Sequence, residues 1–367
     1  MKIQKATARY EQWLAKELAI VGPDLKLRHE QMSAALFPFL RAAYYRWAQL
    51  WPDVCGELAS APAVLAVGDL HVENFGTWRD SEGRLIWGIN DFDEAWPLAY
   101  TNDLVRLAAS AQMAIADNHL GIDMKDAART ILEGYSESLA SGGRPFVLAE
   151  HHAALRHMAV ERLKEVCGFW EKLESLPTVR SRIPDGAVKG IARLLPETDL
   201  MLRYVHRVAG LGSLGRQRFV ALADWHSGRI AREAKAMAPS ANWWAAGCKG
   251  SARIHYQEIL DTSVRCCDPY VRLKGKWIVR RLAPDCSRIE LSALPKQRDE
   301  IRLLHAMGFE TANVHLGSRK ARAIQSDLGK RGFGWLSHAA EQMVAAVTND
   351  WEAWRAAPAP RGKAARS

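Results

Sequence analysis

Gly68-Asp69-Leu70-His71-Val72-Glu73-Asn74, answered downstream by Ile89-Asn90-Asp91-Phe92-Asp93, is the stretch on which the fold turns. Ahead of it, Ala63-Val64-Leu65-Ala66-Val67 is a short apolar run closed by a Gly-Asp pair, the pattern of a buried strand ending in a loop. Residues 75–79 and 84–90 form a predicted hairpin about the Asp80-Ser81-Glu82-Gly83 turn, which brings Asp91 back beside the loop. Two carboxylates and an amide are thereby collected on one strand-loop-strand unit. Asp69 is placed to accept or orient the proton of an attacking hydroxyl, and Asn74 with Asp91 to coordinate magnesium bridging nucleotide phosphates. Taken singly, each is an ordinary turn residue, because Gly-Asp and Asn-Asp pairs are common turn formers. Their joint spacing points to phosphate chemistry. A two-metal phosphatase is set aside because no second G-D-x-x-D or G-N-H element accompanies Asp69-x-His71. His71 is read as bracing the loop. Asp93 and Glu94 are either a second pair of magnesium ligands or a solvated acidic turn.

The chain of 367 residues is 48% hydrophobic and 25% charged, ordinary for a soluble globular protein and long enough for two lobes. Residues 1–9 are basic but lack the apolar core of a signal peptide, and no apolar run approaches the roughly 20 residues a membrane helix needs. A cytoplasmic protein with no membrane partner is expected. Cys55, Cys167, Cys248, Cys266, Cys267 and Cys286 fall in no CxxC pair or zinc spacing, which predicts reduced thiols, no structural metal and no disulfide framework. The net charge of +9 suits a site for nucleotide phosphates or an acidic substrate. No aromatic residues interleave with a basic run, which argues against nucleic acid as a partner.

Apolar residues recur at helical spacing over 27–51, through Met32, Leu36, Phe39, Leu40, Ala43, Tyr44 and Trp47, so one helix is predicted there, ended by Pro52-Asp53. Further helices are expected from Asn102-Asp103 to about 118, at 124–140 and at 148–173, with 176–197 a connection between lobes. The pattern then turns to strands at 201–209, 217–223 and 229–237, a helix over 242–264, and a hairpin of 270–273 with 276–282. Helices return at 296–307 and 334–354. The layout predicts a helical lobe over 1–195, a β-rich lobe over 196–292, helices returning to the first lobe over 293–354, and a disordered basic tail over 355–367. Trp47, Trp51, Trp243, Trp244, Trp351 and Trp354 are read as anchors of the core and the lobe interface.

Gly210-Leu211-Gly212-Ser213-Leu214-Gly215 satisfies G-x-G-x-x-G, which either opens the helix of a dinucleotide-binding βαβ unit or caps ATP phosphates between antiparallel strands. The residues after Gly215 decide between the two. Arg218-Phe219-Val220-Ala221-Leu222 is β-favouring and leads to a turn at Gly228, so the phosphate cap is the better reading. Lys235 then falls on the third strand, from which it can reach the α- and β-phosphates.

With these motifs the chain resembles the protein-kinase-like superfamily, most closely its aminoglycoside-phosphotransferase type, whose catalytic loop reads H-G-D-x-H-x-x-N and whose metal strand carries I-D-F. The resemblance implies Asp69 as catalytic base, Asn74 and Asp91 as magnesium ligands, and Asp103 as a helix-start aspartate bracing the loop. It also implies Gly210, Gly212, Ser213 and Gly215 with Lys235 as the ATP clamp. Val67 stands where that type has its first histidine. The glutamate expected to pair with Lys235 is assigned to Glu258, since Glu233 precedes the lysine by only two positions. The motif order is reversed, with the glycine loop after the catalytic loop, which implies an α+β, two-lobed kinase-like fold in circularly permuted form. The permuted set is F-x-F-L-R (Phe37, Phe39, Leu40, Arg41), G-D-x-H-x-x-N-F-G, N-D-F-D-E-A, D-L-x-R-L-A-A-S (Asp103 to Ser110) and G-x-G-S-x-G. Over most of 27–354 it resembles the bacterial family called domain of unknown function 2252. The implied activity is ATP- and magnesium-dependent phosphoryl transfer to a hydroxyl of an unidentified small-molecule or protein acceptor. Nucleotidyl transfer on the same fold and a non-catalytic nucleotide-binding scaffold are the alternatives.

Overall fold

A computed structural model describes residues 1–117, 119–160, 166–286 and 299–357. Among these the strands form three antiparallel sheets, and the class is α+β. β1 (Ala63–Ala66) pairs with β4 (Trp96–Ala99). β2 (Phe75–Arg79) and β3 (Leu85–Ile89) form the expected hairpin, extended by β5 (Phe146–Val147). The largest sheet has the order β6-β7-β8-β10-β9, from β6 (Arg203–His206), β7 (Arg218–Trp225), β8 (Gly228–Ala236), β9 (Arg272–Lys274) and β10 (Trp277–Leu282).

Turn chemistry sets the registers. At the first hairpin Asp80 Oδ1 accepts from the backbone N–H of Glu82 at 3.0 Å and of Arg84 at 2.9 Å, and Gly83 takes a left-handed φ of 73°. Phe75 thus lies opposite Ile89, and the Asn90 N–H donates to the Asn74 carbonyl at 3.0 Å, which returns Asp91 to the loop. Between β7 and β8, His226 and Ser227 both have positive φ (46° and 61°), the two-residue turn that suits twisted strands, and it sets Arg218 opposite Lys235. A strand, not a helix, follows Gly215, so the dinucleotide-binding arrangement is absent from this loop.

The helical body is built around Tyr100–Ala116, whose residues are buried on nearly every side. Met124–Ser141 crosses Asp299–Leu316 at glycines: a Cβ on Gly134 would stand 2.0 Å from the His305 carbonyl oxygen, and one on Gly308 2.0 Å from that of Ile131. Trp335–Ala356 packs on Tyr100–Ala116, so helices on both sides of the large sheet in sequence share one core. Trp47 and Trp51 are buried in it. The large sheet is covered on one face by Asp185–Ala192, through Ala187 and Ile191 on Phe219, Ala221, Ala234 and Val279. On the other face Val166–Glu174 packs Leu173, Phe169 and Trp170 over Val205, Val220 and Leu222.

Several expectations are corrected. The single helix over 27–51 is three, Gly22–Ala34, Leu36–Ala42 and Tyr44–Val54. Pro38 lacks the N–H that a continuous helix would bond to residue 34, and it is accommodated because a new helix begins at Leu36, with Ala35 extended at φ −155°, ψ 163°. The helix over 148–173 is Leu148–His151, Ala153–Val160 and Val166–Glu174. That over 242–264 is Ala241–Ala245 and Tyr256–Thr262, parted by Gly247 and Gly250 at positive φ. Helices Ile3–Glu17, Asp185–Ala192 and Ala321–Leu328 were not expected. Residues 355 and 356 of the expected tail are helical, and 358–367 lie outside the described residues. The six cysteines are free, and no described helix is long and apolar enough to cross a membrane.

Candidate active site

One stripe of the Tyr100–Ala116 helix holds the 67–74 loop. Asp103, Arg106 and Ser110 share a face because they are three and four residues apart. Asp103 accepts from the N–H groups of Val67 at 2.6 Å and Gly68 at 2.9 Å. Arg106 donates from Nε to Asp69 Oδ1 at 2.9 Å, and from Nη2 to the same oxygen and to the Leu40 carbonyl. Ser110 Oγ accepts from the Val72 N–H at 3.0 Å. Asp103 is fully buried and also meets His315 Nε2 at 3.0 Å, whose Nδ1 lies 2.8 Å from the Tyr135 hydroxyl. Only glycine fits position 68, where φ is 82° and a Cβ would come 2.5 Å from the Glu94 carbonyl oxygen. Farther along, Asn74 Oδ1 accepts from the His71 N–H at 3.1 Å, and His71 Nδ1 accepts from the Glu73 N–H at 3.2 Å. His71 therefore braces the loop, as expected.

The glycine loop lies against this one. Gly210 and Gly215 take positive φ (74° and 95°), with a 3₁₀ turn at Leu211–Ser213 between them. A Cβ on Gly212 would stand 3.0 Å from the Arg41 carbonyl oxygen and 3.4 Å from Asp69 Oδ2, so the loop seats directly on Asp69. Ser213 Oγ donates to the Gly210 carbonyl at 3.0 Å and accepts from Arg218 Nη2 at 2.8 Å. Lys235 Nζ donates to both oxygens of Asp93, at 2.5 and 2.6 Å, and lies 3.8 Å from Asp91 Oδ1.

Lys235 is thus partnered by Asp93 and Asp91, and the assignment to Glu258 is corrected. Glu258 sits in the first turn of Tyr256–Thr262 and bonds His255 Nδ1 at 2.8 Å, with Arg253 at 3.3 Å. Glu233, on the same face of β8 as Lys235, is fully buried and bonded to Arg207 at 2.7 Å and to Arg218 and Arg280 at 2.8 Å each. Asp93 and Glu94 are not a solvated turn: Arg216, just past the glycine loop, meets Glu94 Oε1 at 3.2 Å and Asp93 Oδ2 at 3.4 Å, and Glu94 is buried.

Asp69, Asn74, Asp91 and Gly210, Gly212 and Ser213 line one small cavity of about 30 Å³, room for about one water. Asp91 and Gly210 also border a second cavity of about 350 Å³, with Lys235, Arg218, Asn90 and Tyr256 in its wall. Burial raises the pKa of Asp69 against the opposing pull of Arg106, which makes it a stronger base than a free carboxylate. Burial lowers that of Lys235 while Asp91 and Asp93 oppose the shift. Burial lifts Glu94 to about 7, with Arg216 opposing. Among the described residues no group of three or more His, Cys, Asp or Glu side chains could cage a metal. Asn74 and Asp91 both line the small cavity, an amide and a carboxylate of the kinds that ligate magnesium, and the Asn74 Oδ1 already accepts from the His71 N–H.

Sequence reasoning did not assign roles to Arg106, Arg216 or the arginines around Glu233. For Arg106 the signal was present, since D-L-x-R sets it one turn after Asp103. Residues 22–173, which hold the 67–74 loop, the first hairpin and the Asp103 stripe, match the model of a family described as an uncharacterized protein conserved in bacteria, DUF2252. The match supports the resemblance to that bacterial family over these residues. No curated protein and no solved structure matches the chain.

Proposed function

We propose that this chain is an ATP- and magnesium-dependent phosphotransferase of circularly permuted kinase-like fold, acting on a hydroxyl acceptor. The observation that carries the reading is convergence: Asp69, Asn74 and Asp91 meet residues 210–213 of the glycine loop and Lys235 at two adjoining cavities that share Asp91 and Gly210, while Gly215 lies against Leu25. The β6-β7-β8 meander, with the glycine loop after its first strand and the lysine on its third, supports the kinase-like class. Motif order along the chain supports the permutation.

In this reading the acceptor oxygen attacks the terminal phosphorus of ATP, the bond from that phosphorus to the ADP oxygen breaks, and the hydroxyl proton passes to Asp69. Arg106 holds Oδ1, which leaves Oδ2, the oxygen beside Gly212, to take it. Lys235 and the glycine-loop N–H groups other than those of Ser213 and Leu214, which bond within the loop, bind phosphate oxygens, so catalysis is chiefly positioning and charge neutralisation. Magnesium on Asn74 and Asp91 would neutralise charge on the phosphates.

Thermal unfolding with ATP, magnesium, both together, and NAD as control tests the reading, because a ligand of the native state raises the midpoint. A rise that needs ATP and magnesium together and is lost in Asp91→Ala is expected. A response to NAD alone, or none to ATP, would overturn it.

A further inference from the structure

We propose that the large cavity recognises its ligand by the phosphate chain and not by the base, so that inorganic tripolyphosphate occupies it as ATP does. The inference rests on the reading of the site as one for nucleotide phosphates, and names what that site selects.

Two residues before Lys235 on the same face of β8 stands Glu233 with three guanidinium groups. One glutamate balances one of them, which leaves two positive charges in this part of the wall. Arg280 commits Nε and Arg207 commits Nη1 to Glu233, and their side chains remain 28% and 23% exposed where they line the cavity. Among the described residues the lining contains eight Lys or Arg against three Asp. Counting Glu233 and Asp93 as well, which pair with cations of the wall, an excess of three positive charges remains.

Arg265 adds a fixed cation to the same lining. Its guanidinium lies over the rings of Trp78 at 4.5 Å and Phe92 at 5.1 Å, and its Nε and Nη1 are buried without a hydrogen-bond partner. A neutral base against the arginine part of this wall would remove guanidinium groups from water and return no opposite charge. A phosphate chain returns both charge and paired acceptors, the geometry guanidinium groups match best. Ser213, bonded to Arg218, ties the glycine loop to the same wall, so loop and arginines grip one chain of phosphates.

Titration of the full chain, with magnesium, by ATP, GTP, inorganic tripolyphosphate and adenosine tests the proposal, read as the unfolding midpoint and as Kd by calorimetry. Tripolyphosphate and GTP are expected to match ATP within about tenfold, and adenosine to give no shift. Arg280→Ala, which leaves Glu233 two arginines, is expected to weaken tripolyphosphate and ATP alike by roughly tenfold or more, the loss of one charged hydrogen bond. Its circular dichroism should equal the parent's, and Arg280→Lys should recover part of the affinity. ATP binding without tripolyphosphate binding, adenosine binding alone, or tripolyphosphate affinity unchanged in Arg280→Ala would overturn this proposal while leaving the phosphotransferase reading in place. Binding of neither ATP nor tripolyphosphate would overturn both.

Discussion

Asp69 and Glu233 are both carboxylates gripped by arginine, and they work in opposite ways. Asp69 meets one guanidinium on one oxygen, and burial still raises its pKa, so it stays ready to take a proton. Burial pushes Glu233 the same way, yet Arg218, Arg280 and Arg207 together hold it well below the usual carboxylate range. The residue types are the same, and the number of cations per carboxylate decides the role. In the proposed reaction one arginine steers a base, whereas three turn the carboxylate into a core around which positive charge is packed.

The contrast is sharpest in paired variants. Glu233→Gln leaves three arginines without their counter-charge and should cost about 3–5 kcal/mol of stability, measured by urea unfolding. Asp69→Asn should instead keep the ATP-induced rise in midpoint and lower ATP turnover by about 10²–10⁴-fold. Equal stability of Glu233→Gln and the parent would break the comparison. Glu310 extends it to a buried glutamate whose bonds come from the Ile89 N–H at 3.3 Å and Asn313 Nδ2 at 2.9 Å. Burial lifts its pKa from 4.5 to about 7, against Arg265. The folded state therefore binds the proton more tightly than the unfolded one. Glu310 should lower stability progressively as pH rises from 4.5 to about 7, with no further change above. Subtracting the pH profile of Glu310→Gln from that of the parent isolates this contribution, and a flat difference would contradict it. The smallest effect is expected for Ser110→Ala, about 1 kcal/mol, because it leaves one N–H of the 67–74 loop without its acceptor. Protection of the Val72 amide from hydrogen exchange should fall in that variant, and an unchanged rate would show that the stripe does not hold the loop.

The Asp69 half of the comparison was legible in the sequence and the Glu233 half was not. Gly68, Asp69, Asn74 and Asp91 sit within one loop and one tight hairpin, and Asp103 and Ser110 follow helical periodicity, so short-range rules suffice. Strand pairing was legible where a turn fixed it, as at Asp80 and at His226-Ser227. The cluster at Glu233 instead needs the register of β8 on β10 and the reach of Arg207 from beyond β6. The partnership of Lys235 with Asp93 depends on how sheet and hairpin meet, 142 residues apart in sequence, and no local pattern encodes it. The breaks in the 27–51 helix divide similarly. Pro38 marks the first, while Ala43 has no breaking chemistry of its own, and the apolar period runs through it because both helices face one core.

The pairing of Asp103 with His315 spans 212 residues, and the glycine crossing joins Met124–Ser141, before the large sheet in sequence, to Asp299–Leu316, after it. During synthesis the amino-terminal part of the body therefore leaves the ribosome long before the helix that closes it. A nascent chain halted ahead of residue 299 would lack the helix that packs on Met124–Ser141 and the His315 partner of Asp103. Contacts of such high order make folding slow, so the site is completed only once the last helices have been made.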